Sequence, residues 1–139
     1  MNIKITMKQL GKKRDKVSAV DFTLENRPTT VEELIKEAVH TCVRAYNERV
    51  RKKERVTPLT GAQIEDMSEV GKIAFGINYG GKEADEDAAV TVALQAFEDG
   101  LVRIFHKDEE LSELSQAIEI QENDAVTFLR LTMLAGWML

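Results

Sequence analysis

The stretch nearest to a chemical signature is Gly76-Ile-Asn-Tyr-Gly-Gly81-Lys82-Glu83, one residue away from the phosphate-binding pattern G-x-x-x-x-G-K-[ST]. The hydroxyl that ends that pattern ligands magnesium, and Glu83 has none. Glu83, Asp85, Glu86 and Asp87 also open the next helix, so negative charge stands where a helix N-terminus would have to attract a phosphate. The residues before the loop carry a helical rather than a strand pattern. They fit a glycine-rich loop between helices, with an enzyme acting on a phosphate ligand through Gly76 to Lys82 as a second alternative.

His40 and Cys42 suggest a nucleophile and its base, but residues two apart on a helix point to different faces. Cys42 belongs to an apolar stripe and reads as a small core residue, with His40 beside that stripe at the boundary. His106 has no second histidine or cysteine near it in sequence, and Asp85, Asp87, Asp99, Asp108, Glu109 and Glu110 lack calcium-loop spacing. They read as helix caps and solvated turns. No catalytic residue, metal ligand or cofactor site is assigned, and the chain is expected not to be an enzyme.

The charge is unevenly placed. Residues 1–61 carry 14 Lys+Arg and 8 Asp+Glu, whereas residues 62–139 carry 5 and 16, for a net −5. Lys12, Lys13, Arg14 and Lys16 form one basic cluster, and Arg49, Arg51, Lys52, Lys53 and Arg55 form another. A positive patch of this kind suits an acidic protein surface or a nucleic acid. The pI of about 5.2 and the lack of interleaved aromatics argue against nucleic acid.

The 139 residues suit one domain, 43% apolar composition supplies a core, and 31% charged residues supply a surface. No run approaches the roughly 18–20 apolar residues of a membrane span, and the start lacks a signal peptide's apolar stretch. A cytoplasmic protein without a membrane partner is expected. The single Cys42 leaves no internal disulfide.

Ile3, Ile5 and Met7 alternate with Lys4, Thr6 and Lys8, and the alternation resumes at Val17, Val20, Phe22 and Leu24, predicting a β-hairpin over 1–25 with a basic tip and a bulge near Ala19. Thr30 and Glu33 form a capping box, with the carboxylate returning to the Thr30 amide. A helix over 30–53 follows, with Val31, Leu34, Ile35, Ala38, Val39, Cys42, Val43, Tyr46 and Val50 on one stripe. Residues 56–100 read as an inserted helical segment. Its first helix turns Ile64, Met67, Ile73 and Ala74 inward; its second, Asp85 to Asp99, buries Ala88, Ala89, Val92, Ala93, Ala96 and Phe97 and ends at Gly100. Strands fill 101–134: Leu101 to Phe105, a polar turn His106 to Glu110, a short strand Ile118 to Ile120, and a last strand from Val126 to Leu134 covered on both faces.

Leu101-Val-Arg-Ile-Phe-His-Lys-Asp-Glu-Glu-Leu111 and Ile118-Glu-Ile-Gln-Glu-Asn-Asp-Ala-Val-Thr-Phe-Leu-Arg-Leu131, behind a hairpin and a long helix, resemble the C-terminal half of ubiquitin-like and sulfur-carrier proteins. The resemblance covers residues 1–50 and 101–136 and implies an α+β, ubiquitin-like β-grasp fold, a mixed sheet packed on one long helix. The helical segment 56–100 departs from it, standing where ubiquitin has a far shorter connection. That fold implies that the hairpin tip and the far end of the long helix share one end of the molecule.

The chain ends in Leu131-Thr-Met-Leu-Ala-Gly-Trp-Met-Leu139, and an apolar end of this kind packs on its own domain, a partner or a second copy. Sulfur carriers and modifiers end in a Gly-Gly carboxylate that is adenylated, so that role requires trimming after Gly136. The expectation is therefore an adaptor-like domain that binds another protein or itself through Lys12, Lys13, Arg14, Arg51, Lys52, Lys53, Arg55, Leu134 and Trp137. A carrier or modifier is the alternative.

Overall fold

A computed structural model describes residues 1–10, 17–51, 67–79 and 83–131. Strands β1 (Asn2–Leu10) and β2 (Val17–Thr23) pair antiparallel, from Asn2 opposite Thr23 to Lys8 opposite Val17 without interruption. The bulge expected near Ala19 does not form. Ala19 stands opposite Thr6 and Val17 opposite Lys8, so both take register positions of the polar face, and the apolar pattern slips without an extra residue. The expected basic tip lies outside the described residues.

Helix α1 (Val31–Arg51) buries Leu34, Ile35, Ala38, Val39, Cys42 and Val43 completely or nearly so, as its periodicity requires. Its opening amides all find acceptors: Val31 donates to the Gln116 carbonyl, Glu32 to the Leu114 carbonyl and Glu33 to Thr30 Oγ1 at 3.2 Å. The Glu33 carboxylate reaches Thr29 instead of the Thr30 amide, accepting from its backbone N at 2.8 Å and its hydroxyl at 2.9 Å. Thr30 is drawn into an isolated bridge with Ala117. These donors hold the Glu33 carboxyl below the usual glutamate range, the Thr29 amide contributing most.

Helix α2 (Met67–Phe75) buries Val70, Ala74 and Phe75; Ile64 and the side chains of Met67 and Ile73 lie outside the described residues. Helix α3 (Glu86–Glu98) is capped by Asp85, whose side chain accepts from the Asp87 amide. It buries Ala89, Ala93, Ala96 and Phe97, while Ala88 and Val92 face solvent, Val92 being 44% exposed. Its packed stripe runs i, i+4, i+7, i+8 from Ala89, flanked by half-buried Val90 and Leu94, and this rotates the two expected residues outward. The helix ends as expected at Gly100 (φ 75°), with the Leu101 amide on the Ala96 carbonyl.

Strand β3 (Val102–His106) pairs antiparallel with β4 (Glu109–Leu111). The polar turn expected over His106 to Glu110 is confined to Lys107 and Asp108, at φ 52° and 66°, a two-residue hairpin connection. β4 escapes its apolar pattern because Glu109 and Glu110 are exposed on an edge strand. Residues 118–120 form no strand; the only pairing there is the single bridge at Ala117.

β5 (Ala125–Leu131) runs parallel to β1 and antiparallel to β3, giving a mixed five-stranded sheet in the order β2-β1-β5-β3-β4. Residues 132–134 of the expected strand lie outside the described residues. Val126 and Phe128 are fully buried, whereas Thr127, Leu129 and Leu131 on the other face are only half-buried, so the expected cover on both faces is not found. Ile3, Ile5, Met7, Phe22, Val102, Ile104, Val126 and Phe128 make the inner face of an α+β core, with α1 packed on it. The Phe75 ring meets Phe128 edge-on, centroids 5.3 Å apart, and brings α2 to the same face.

Candidate interaction surface

With the helices on the inner face, alternate residues of the same strands compose an open face. Lys8 on β1, Leu129 on β5 and Arg103 on β3 stand side by side, so a half-buried leucine lies between two exposed cations. The next row places Ala19, Thr6, Thr127, Phe105 and Glu110 across all five strands, with Phe105 half-buried. Lys4 stands opposite Asp21 one row further on, and Arg103 Nε reaches Glu110 Oε2 at 4.0 Å. The arrangement offers apolar contact ringed by charge, with both lysines free of described carboxylate contacts.

Of the residues expected to bind a partner, Arg51 is described. It is exposed at the end of α1 and its Nε donates to Glu83, so its charge is matched within the chain. Lys12, Lys13, Arg14, Lys52, Lys53, Arg55, Leu134 and Trp137 lie outside the described residues. Lys4, Lys8, Arg103, Phe105 and Leu129 were not singled out from sequence. The Lys4-Thr6-Lys8 alternation was visible, but the pairings that set Leu129 and Arg103 beside Lys8 join β1 to strands near the far end of the chain.

The loop after α2 is fastened to α1. Asn47 uses its side-chain amide like a strand, donating from Nδ2 to the Ala84 carbonyl at 3.1 Å and accepting the Ala84 amide at 2.6 Å. Tyr46 stacks on Tyr79, centroids 4.3 Å apart. Residues 80–82 lie outside the described residues. Beyond them Asp85 occupies the α3 cap with its own carboxylate, the position a bound anion would need.

His40 is half-buried between two carboxylates, with Nδ1 2.7 Å from Glu86 Oε1 and Nε2 3.0 Å from Glu25 Oε2, the latter off the line of a good hydrogen bond. Arg44 pairs with the same Glu25, while Glu37 accepts from the Glu25 and Asn26 amides at 3.1 Å each. This network ties α3 and the β2–α1 turn to α1. Cys42 lies in the core, away from it.

His106 is buried and its Nε2 lies 2.9 Å from Asp124 Oδ2. The Gln121 amide, also 2.9 Å away, is the chief reason the Asp124 carboxyl lies below the usual aspartate range, with His106 and Lys107 adding to it. No group of three metal-ligating side chains occurs among the described residues, and no described helix is long and apolar enough to cross a membrane. No family model, curated protein or solved structure matches this chain.

Proposed function

We propose that the chain is a β-grasp-like domain that acts without catalysis, as an adaptor-like module docking another protein on the open face of its sheet. The β-grasp reading is supported by the order β2-β1-β5-β3-β4, the parallel central pair β1/β5 and the long helix that follows the first hairpin. The observation that carries the docking reading is the row Lys8-Leu129-Arg103. A leucine between two cations suits an acidic protein surface bearing an apolar side chain, since burial of the leucine supplies affinity and the cations supply orientation. The carboxylate-capped start of α3 makes the phosphate-binding reading the weaker one.

The test replaces Leu129 with a photo-crosslinking amino acid in the protein's native cells. One dominant protein adduct, lost when Lys8→Glu and Arg103→Glu are added, is expected. No adduct, or an adduct indifferent to both reversals, overturns the docking reading. A chain found trimmed to Gly136 and joined through it to another molecule replaces that reading with a carrier or modifier.

A further inference from the structure

The two edges of the sheet are built differently. β4 is three residues long, carries exposed Glu109 and Glu110, and follows a tight turn, all features that discourage another strand from adding to it. β2 has seven residues in regular register, with no proline and no bulge, and Asp21 as its one charged residue. Among the described residues no strand pairs with its outer edge. Met1 and Leu24 exchange both backbone hydrogen bonds, so by alternation Ser18, Val20 and Phe22 bond to β1 and the N–H and C=O groups of Ala19 and Asp21 point to the outer edge, while beyond them the Thr23 carbonyl accepts from Thr41 Oγ1 at 3.3 Å.

We propose that the outer edge of β2 pairs antiparallel with β2 of a second copy of this chain, centred on Val20. Three features favour a second copy over an unrelated strand. In this register Asp21 falls opposite Ala19 of the partner strand, so the one charge on the edge meets no like charge. Val20 and Phe22 alternate with Ala19 and Asp21 between the two faces, so a twofold pairing places inner residues beside inner residues and extends both faces across the junction. The blunted β4 edge stops head-to-tail growth, leaving a closed pair as the finite assembly. This inference concerns the edge and stands apart from docking on the open face.

Sedimentation equilibrium on the full chain, from about 1 µM to about 1 mM, covers weak to moderate association. A monomer–dimer equilibrium is expected. Ala19 is exposed, so charge placed there leaves the core untouched. Ala19→Asp sets two carboxylates opposite each other at both symmetric positions and weakens the dimer by about tenfold or more, whereas Ala19→Lys faces Asp21 twice and tightens it at low salt. Thermal melts of both variants check that the monomer fold persists, and the opposite signs keep the test decisive if one variant folds poorly. A chain monomeric throughout, or a dimer that both variants shift in the same direction or not at all, overturns the proposal.

Discussion

The two faces of the sheet are cut from the same strands and differ in what alternate residues leave for other molecules to do. On β5, Val126 and Phe128 are sealed under the helices, while Thr127 and Leu129, one residue along, remain half-buried on the open face, Leu129 beside Lys8 and Arg103. The inner face spends its apolar area on the fold; the open face retains a smaller apolar centre and its charges. Adjacent residues on one strand should therefore respond very differently to truncation. Phe128→Ala removes a fully buried ring that meets Phe75 and should cost about 3–5 kcal/mol, seen as a large drop in urea midpoint. Leu129→Ala should cost clearly less than Phe128→Ala, and equal losses would erase the distinction between the faces.

The inner side also contains a close helix contact that has no counterpart on the open face among the described residues. A Cβ built on Gly71 would stand 2.5 Å from the Tyr79 hydroxyl and 3.2 Å from Cys42 Cβ, so α2 approaches α1 where glycine permits it. Gly71→Ala gains up to about 1 kcal/mol of helix propensity, but it forces two buried elements apart. Overpacking of this kind costs typically about 1–3 kcal/mol, so a net loss of stability is expected. Adding Tyr79→Phe removes the nearest atom and should recover part of the loss. A Gly71→Ala chain more stable than the parent would show that the helices can separate without cost.

A third contrast concerns pH. Asp124 and Glu33 both lie below the usual carboxylate range because backbone amides, Gln121 and Thr29 respectively, donate to them. A carboxylate depressed in the folded state contributes stability at neutral pH, and that contribution is lost as pH falls through the acid range, below about 4. Asp124→Asn should lower stability near neutrality and flatten the acid limb of the stability profile. An unchanged limb would mean that the Gln121 and His106 contacts do not hold the charged form.

Much of the inner face was legible because burial imposes a period: the stripe of α1 and the alternation of β1 appear in the residues themselves. β4 was not legible, because an edge strand needs little apolar residue and Glu109-Glu110 reads as a turn. The rotation of α3 was missed for a related reason. Alanines fill both Ala88 and Ala89, so the sequence marks a helix without fixing which side faces α1. The open face was hidden most completely, since Lys8, Leu129 and Arg103 come from three strands and become neighbours through one parallel and one antiparallel pairing that no local pattern encodes.

The smallest effect on stability is expected where the proposed function is most exposed. Lys8→Glu and Arg103→Glu change solvated side chains, and the Arg103 contact with Glu110 at 4.0 Å is a surface pair of the kind worth about 0–1 kcal/mol. Each reversal should therefore leave the melting curve nearly unchanged, within about 0.5 kcal/mol at ordinary salt. Together they turn the rim around Leu129 from positive to negative, which should repel an acidic partner while leaving the inner face intact. A double variant that keeps both its stability and its Leu129 crosslink would remove the electrostatic half of the docking argument. One that loses stability heavily would show that these cations support the fold, and the two faces would no longer divide folding from recognition.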